Sequence, residues 1–216
     1  MLTLYEELLL LTIHEAKGIL IHTTLEKMKP GLAGAILAEL ALECAIQTTP
    51  NHRLQPCEEG STTVPLMDDV LATMRSPAKE HKFSYWITSL SHSAEKLRKQ
   101  TIDGLFEKGI LTPDDDRLRW VIPSPIAPEV KASPKYVLIQ RLRRAALAAE
   151  DIQPRDIILL SLLKACGLLE LVFFRDERKL AARSMNELLF SQAFKDPVIQ
   201  TIQEIEAVVA EMVEED

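Results

Sequence analysis

The clearest indication of architecture in this chain is the segment GLAGAILAELAL, residues 31–42. Glycine opens the segment, apolar residues occupy almost every later position, and Glu39 is its one charged residue. A helix that is apolar on all sides lies in the interior of a protein. We therefore predict a deeply buried helix over residues 31–45.

Glu39 needs an explanation, because burying a carboxylate is costly unless it is paired or hydrogen-bonded. It could belong to a ligand site or a polar network. It could instead form an ion pair in the core or extend its side chain to the surface. We favour the second, structural interpretation.

A second apolar segment covers residues 157–174 and contains Lys164 and Glu170. A membrane-spanning helix needs about 20 nearly uncharged residues. Because two charges interrupt this shorter segment, we predict another buried core helix, over residues 155–174.

Helical spacing of apolar residues extends over most of the remaining chain. It predicts further helices over residues 3–14, 68–74, 83–90, 94–108, 135–149, 177–190 and 197–213. An irregular loop is expected over residues 18–31. Two small hairpins are expected, one joining residues 46–50 to 61–65 and one joining 110–112 to 117–122. The predicted fold is mainly α: a single globular helical domain over residues 1–216, with buried central helices and one or two small β-hairpins.

The composition narrows the range of functions. Aromatic residues make up only 5% of the 216 residues, which favours helix packing over a β-sandwich. The net charge of −7 argues against an extensive nucleic-acid interface, which needs a basic surface. The three cysteines form no disulfide or zinc pattern, and Cys44 and Cys166 are expected in the core. This cysteine usage is typical of a reducing, cytosolic compartment.

No catalytic pattern is found in the sequence. His14 and Glu15 begin like a zinc-binding helix, but Gly18 stands where the second histidine would be. There is no nucleophile elbow of the Gly-x-Ser-x-Gly type and no phosphate-binding loop ending in Gly-Lys-Ser or Gly-Lys-Thr. We predict that the protein is not an enzyme and that it has no metal site and no cofactor.

Three blocks carry a resemblance to a known family: LTLYEELLLL at residues 2–11, GLAGAILAELAL at 31–42, and LFEKGIL at 105–111. Their order and separations resemble the Golgi phosphoprotein 3 family over essentially the whole chain. The resemblance implies a helical, peripheral membrane module that binds phosphatidylinositol 4-phosphate and recruits cargo. It also implies that Glu39 belongs to a scaffold helix. The chain begins directly at its first predicted helix, so it resembles a prokaryotic-type member or a trimmed core that lacks the basic N-terminal extension.

The resemblance also implies where a lipid head group would bind. The family uses a tryptophan in the loop before the Gly-Leu-x-Gly block, an arginine at x, and two basic residues one turn apart on the helix ending in Glu-Lys-Gly. Here x is Ala33, the two helix positions are Glu95 and Arg98, and residues 18–31 contain no aromatic residue. One of the four family positions, Arg98, is therefore retained.

Nearby cations are predicted to complete a substitute head-group site with Arg98. The predicted site residues are Arg98, Lys96, Lys27 and Lys29, and Lys99 is close in sequence. The alternative is that these lysines are ordinary solvated surface residues.

The predicted function is that of a non-catalytic, cytoplasmic protein, peripheral on the cytosolic membrane face. Its expected partners are an anionic phospholipid head group and the cytosolic tails of membrane proteins. One alternative is a winged-helix nucleic-acid binder built from residues 94–122, although acids at residues 114–116 would repel phosphate at its wing tip. Another is a soluble scaffold without lipid affinity. No pattern specifies an oligomeric state.

Overall fold

The computed structural model describes residues 1–14, 19–20, 25–58, 60–76, 81–114, 117–120, 133–148, 152–189 and 197–215. The α-helices in this part of the chain are α1 (Leu4–Thr12), α2 (Leu25–Leu42), α3 (Pro65–Arg75), α4 (Phe83–His92), α5 (Ala94–Glu107), α6 (Pro134–Arg143), α7 (Pro154–Ala165), α8 (Arg178–Leu189) and α9 (Pro197–Glu215). A π-helical turn (Arg144–Ala148) extends α6, and a 3-10 turn (Leu169–Leu171) follows α7. The strands are β1 (Ile13–His14), β2 (Ile19–Leu20), β3 (Ile46–Thr48), β4 (Leu54–Pro56), β5 (Leu111–Asp114) and β6 (Arg117–Trp120). The mainly α fold predicted from the sequence is confirmed.

Helix α2 is the centre of the fold. It packs against α1, α4, α5, α7 and α9. Every residue from position 30 to position 41 is buried, Glu39 included. The predicted burial of the apolar segment is therefore confirmed.

Helix α1 is also buried along its whole length. Its first turn is fixed by a capping box: the Thr3 hydroxyl accepts a hydrogen bond from the Glu6 amide, and the Glu6 carboxylate accepts one from the Thr3 amide at 2.8 Å. This arrangement satisfies two amide groups that a helix start leaves without a partner. It thereby allows a helix end to be placed inside the protein.

The strands form three separate antiparallel pairs. Ile13 lies opposite Leu20, Ile46 opposite Pro56, and Leu111 opposite Trp120. The first pair was not predicted. The last matches the hairpin expected around residues 110–122.

Two predictions about the first half of the chain were wrong. Helix α2 begins at Leu25, inside the expected loop, and it includes Pro30 and buries Met28. Strand β3 pairs with β4 and not with residues 61–65. A tight turn decides this pairing, since the Thr49 amide donates to the Arg53 carbonyl at 2.8 Å.

The predicted helix over residues 155–174 is two elements instead of one. Gly167 has a φ of +64°, a left-handed conformation that ends an α-helix and that glycine adopts without steric cost. Residues 156–163 of α7 are all buried, as predicted for this segment. Phe174, beyond the break, is 71% exposed.

Of the two cysteines that were expected in the core, one is buried and the other is exposed. Cys166 is fully buried, as predicted. Cys44 is exposed, in the turn that follows α2, and its φ is +56°. The prediction of a core position for Cys44 was wrong because the helix ends at Leu42, before it reaches this residue.

Close packing between α2 and α9 depends on Gly34. A methyl group added at position 34 would lie 2.6 Å from Cγ2 of Val209. We predict that Gly34→Ala lowers the free energy of unfolding by about 1 kcal/mol or more, because overpacking outweighs the helix-propensity gain. Denaturant unfolding measures this value. In a Val209→Ala background the same substitution should be neutral or stabilising, and an equal cost in both backgrounds would contradict the packing explanation.

Helix α9 carries a buried acid, Glu206. Its Oε1 atom has no hydrogen-bond partner among the described residues. Burial raises the pKa of this carboxyl well above its ordinary value, and the charge of Lys164 offsets only part of the rise. The folded state therefore holds a proton that the unfolded chain releases at lower pH.

This proton makes stability depend on pH. A raised folded-state pKa means that the contribution of Glu206 is fully present below about pH 4.5 and decreases as pH rises toward the folded-state pKa. We predict that Glu206→Gln removes this decrease, so that its stability advantage over wild type grows with pH. Unfolding free energies of wild type and Glu206→Gln, measured from pH 5 to pH 9, test this prediction. The control variant is Glu211→Gln, because Glu211 lies on the same helix but is exposed. A pH-independent difference would contradict the prediction.

Candidate functional site

A small cleft lies where α1, the start of α2 and the start of α5 meet. Its volume is about 140 Å³, below the roughly 300–1,000 Å³ of sites that hold drug-sized molecules. The lining residues are Leu9, Thr12, Glu26, Met28, Lys29, Leu32, Ala94, Glu95 and Arg98. This cleft can admit a group of about the size of a phosphate.

Arg98 enters the cleft from α5. Its side chain is 31% exposed, and Nη2 lies 3.3 Å from Oε2 of Glu95, one turn earlier on the helix. The Glu95 side chain is 87% exposed, and ion pairs between exposed groups contribute only about 0–1 kcal/mol. The pair with Glu95 therefore leaves Arg98 able to exchange its partner.

Lys29 enters the same cleft from α2. Its ammonium group pairs with the carboxylate of Glu26, one turn earlier, and both side chains are largely exposed. The structure therefore brings two predicted site residues together, Arg98 and Lys29, from helices far apart in the sequence. Each stands beside an acid on its own helix.

The other two predicted site residues point elsewhere. Lys96 lies 3.7 Å from Asp69 of α3. The ammonium group of Lys27 reaches the turn after α7, next to Gly167. Residues two apart on a helix do not share a face, so the pairs Lys27/Lys29 and Lys96/Arg98 are each divided between two sides.

Lys27 has a different neighbour from the one predicted. Burial raises the pKa of the Cys166 thiol to about 12, and the charge of Lys27 offsets part of that rise. A cation at the end of α7 also complements the negative end of the helix dipole. In this structure the charge of Lys27 therefore lies at the end of α7 and interacts favourably with the dipole of that helix.

Ala33, at the position that the family fills with arginine, is fully buried in the core. It can offer no donor to a ligand. The loop predicted over residues 18–31 falls partly on residues 18 and 21–24, which lie outside the described residues. The winged-helix alternative includes the strand at residues 117–120, whose side chains also lie outside them.

The buried acids other than Glu206 that the structure describes form ion pairs within the fold. The Glu39 carboxylate accepts hydrogen bonds from both terminal nitrogens of Arg155, each at 2.9 Å, and from the Leu4 amide at 2.6 Å. Glu7 accepts two from Arg141, whose Nε also donates to Asp156 at 2.7 Å. The interpretation of Glu39 as a core ion pair is confirmed.

Burial raises the pKa of Glu7, and the neighbouring charge of Arg141 offsets part of that rise. The Glu7 carboxyl is thus committed to a structural pair. The described residues contain no group of three or more histidine, cysteine or acidic side chains that could hold a metal ion.

The model of the Golgi phosphoprotein 3 (GPP34) family matches residues 4–209 of the chain. The chain belongs to this family. No curated protein matches it. None of the helices in the described part of the chain combines the length and the apolar character that crossing a membrane requires.

The blocks that carry the Golgi phosphoprotein 3 resemblance contact one another. The ammonium group of Lys108, in the third block, lies 2.7 Å from both carboxylate oxygens of Glu6, in the first. The carboxylate of Glu39, in the second block, accepts a hydrogen bond from the Leu4 amide of the first block. These contacts therefore join the three blocks, and Leu9 and Leu32, from the first two, also line the cleft.

The ion pair of Glu39 and Arg155 gives a stability test. We predict that Arg155→Leu lowers the free energy of unfolding by about 3–5 kcal/mol, because it leaves a buried carboxylate without its cation. The double variant Glu39→Leu/Arg155→Leu should recover much of this loss, since two apolar residues leave no uncompensated charge. Denaturant unfolding of the single and double variants measures the coupling, and strictly additive costs would contradict it.

Proposed function

We propose that this protein is a non-catalytic module that binds the cytosolic face of a membrane by contacting an anionic phospholipid head group. The observation that carries the proposal is the convergence of Arg98 and Lys29 on one cleft. Arg98 is the cation that occupies a lipid-binding position of the Golgi phosphoprotein 3 family. Phosphatidylinositol 4-phosphate is therefore the first lipid to test.

The chemistry of the cleft supports a phosphate as the ligand. A guanidinium and an ammonium can each donate charge-assisted hydrogen bonds to phosphate oxygens. The volume of about 140 Å³ suits the phosphate group, with the remainder of the head group left outside. Leu9, Met28 and Leu32 supply an apolar wall against which lipid carbon can pack.

Competition between ligand and acid governs the strength of binding. Glu95 and Glu26 already satisfy the two cations, so an incoming phosphate must displace both carboxylates. Exposed pairs are weak, and a doubly charged phosphate attracts a cation more strongly than a single carboxylate does. We expect modest affinity that falls as salt rises.

A membrane-protein tail is a second candidate partner. A groove of about 330 Å³ lies between α1, α3 and α5, with Tyr5, Val64 and Leu66 among its lining residues and the acids Asp103 and Glu107 at its side. Its composition favours a peptide that combines apolar and basic side chains. Titration with such a peptide tests this, and Asp103→Lys should reduce the affinity.

Vesicle binding tests the lipid proposal with two substitutions that are expected to change the affinity in opposite directions. We predict that Arg98→Glu weakens binding to phosphatidylcholine vesicles containing phosphatidylinositol 4-phosphate by about tenfold or more, because each basic group near the membrane contributes about 1 kcal/mol. Glu95→Gln should strengthen it, because it removes the acid that competes with the phosphate. Vesicle co-sedimentation at two salt concentrations measures both effects.

Lys179→Glu on the exposed face of α8 is the matched control for Arg98→Glu, since it changes the net charge equally at a distance from the cleft. It should alter binding far less. Equal binding by wild type and Arg98→Glu would remove the lipid proposal. Stronger binding of wild type to duplex DNA than to the vesicles would favour the nucleic-acid alternative.

A further inference from the structure

One surface groove contains two of the three cysteines. It has a volume of about 470 Å³ and lies between the β3–β4 hairpin and α9, and both Cys44 and Cys57 line it. Cys44 is exposed and Cys57 is half-buried, whereas Cys166 is buried in the core. The fold therefore places two thiols on one accessible wall and keeps the third away from solvent. We call this surface the hairpin groove.

Backbone hydrogen bonds hold Cys57 next to the segment that contains Cys44. The Cys57 amide donates to the Ala45 carbonyl at 2.9 Å, which continues the β3–β4 pairing past the end of β4. The Gly60 amide donates to the Cys57 carbonyl at 3.1 Å and fixes the other side of this residue. Opposed residues in an antiparallel pair have Cα atoms about 4.5–5.5 Å apart, and Cys44 is one Cα step of about 3.8 Å from Ala45. The two cysteines are therefore near neighbours across the open end of the hairpin.

The backbone of Cys44 has an unusual conformation. Helix α2 ends in a Schellman motif, in which the Cys44 amide donates to the Ala41 carbonyl at 3.0 Å and the Ala45 amide donates to the Leu40 carbonyl at 2.9 Å. Cys44 occupies the left-handed position of this motif, with a φ of +56°, where glycine is usual because a side chain is sterically disfavoured. The structure thus keeps a cysteine at a position that favours glycine.

This conformation also decides where the thiol of Cys44 lies. Neighbouring residues of an extended strand point to opposite faces, so an extended Cys44 would not share a face with Ala45 or with Cys57, which lies opposite it. The left-handed residue interrupts that alternation. As a result, Cys44 and Cys57 line the same groove.

The hairpin groove contains a second left-handed residue. Among the described residues, the non-glycine positions with a positive φ are Cys44 and His52, and both line this groove. His52 Nδ1 lies 3.1 Å from Oε1 of Glu204, which connects the hairpin turn to α9. Residues in sparsely populated backbone regions concentrate at functional sites. The backbone therefore draws attention to the same groove as the thiols do.

The two thiols are close enough to influence each other. Burial raises the pKa of the Cys57 thiol, and the charge of a Cys44 thiolate adds to that rise. Two neighbouring negative charges disfavour each other. A disulfide carries no charge, so forming it removes this repulsion.

From this arrangement we propose that Cys44 and Cys57 form a reversible disulfide, which ties the end of α2 to the β3–β4 hairpin. The oxidant is a small-molecule disulfide. The exposed Cys44, as a thiolate, attacks one sulfur of the oxidant, whose S–S bond breaks and releases one half as a thiolate. The Cys57 thiolate then attacks the Cys44 sulfur and releases the second half. Each protein thiol gives its proton to solvent and is oxidised, while the oxidant is reduced to two thiols.

The exposure of Cys44 makes the bond reversible. Exposed disulfides are the labile ones, because a reducing thiol can reach a sulfur and repeat the exchange in the opposite direction. Disulfides in reducing compartments are usually of this transient, redox-sensing kind. The site is separate from the Arg98 cleft and does not depend on the proposed function.

Thiol–disulfide exchange on the whole protein tests the proposal. Reduced protein is incubated with hydroxyethyl disulfide, a neutral probe that Glu43 and Glu58, the sequence neighbours of the two cysteines, do not repel. Remaining thiols are alkylated in denaturant, and the intact mass and the cysteine peptides are measured. The monomer should lose the mass of two hydrogen atoms, with Cys44 joined to Cys57 and Cys166 alkylated. Dithiothreitol should restore all three thiols.

Single variants separate the two chemical steps. Cys57→Ser should stop after the first step, so that Cys44 retains half of the probe as a mixed disulfide. Cys44→Ser should react more slowly than Cys57→Ser, because only the half-buried thiol remains in the groove. Cys166→Ala is the control and should form the same bond as wild type.

The same reaction in denaturant controls for the short distance between the two cysteines along the chain. The native protein should form the Cys44–Cys57 bond faster, because the fold already holds the two residues together. An equal or faster rate in denaturant would overturn the inference. So would a wild-type product that remains a mixed disulfide at Cys44, a disulfide-linked dimer, a bond that includes Cys166, or three unreacted thiols.

Discussion

The carboxylate of Glu39 joins three helices, α1, α2 and α7, through directional hydrogen bonds in the core. Glu39 belongs to α2. Its carboxylate accepts hydrogen bonds from the Leu4 amide at the start of α1 and from both terminal nitrogens of Arg155 in α7. Apolar burial is non-directional, so it brings helices together without setting how far one is displaced along another. The directional bonds of Glu39 fix that displacement for α1. The far end of α1, at Leu9 and Thr12, then forms a wall of the Arg98 cleft.

The positions that identify the Golgi phosphoprotein 3 family in this chain are mainly positions that build its scaffold. Lys108 pairs with Glu6, and Gly34 gives the Val209 side chain room to approach α2. At two positions where the resemblance implies basic ligands this chain has none: Ala33 is buried and has no donor, and residue 95 is a glutamate. Substitution at an exposed position such as Glu95 leaves the core intact, whereas substitution in the scaffold does not. Family membership therefore establishes the architecture of this chain more directly than its ligand.

Local sequence patterns predicted the secondary-structure elements well. Contacts between residues that are distant in sequence were the most difficult to predict. The burial of α2 follows from apolar residues on all sides of one helix, which a single segment displays. The ion pair of Glu39 could be inferred from the cost of burying a charge, but Arg155 is 116 positions away and nothing local identifies it. Lys27 and Lys29 were assigned to one patch because a loop was expected there; the helix from Leu25 turns them to different sides. The bridge between Leu54 and His81 likewise joins two segments that no local pattern pairs.

The central position of α1 has a consequence for the order in which the protein is made. This helix is synthesised before the residues that hold it: its buried start needs Glu39, and the pair of Glu39 needs Arg155. Its carboxylates Glu6 and Glu7 also need Lys108 and Arg141. A short isolated helix is unstable in water. Helix α1 therefore docks stably only after Arg155 has been synthesised, and until then the core that covers its leucine-rich surface is incomplete.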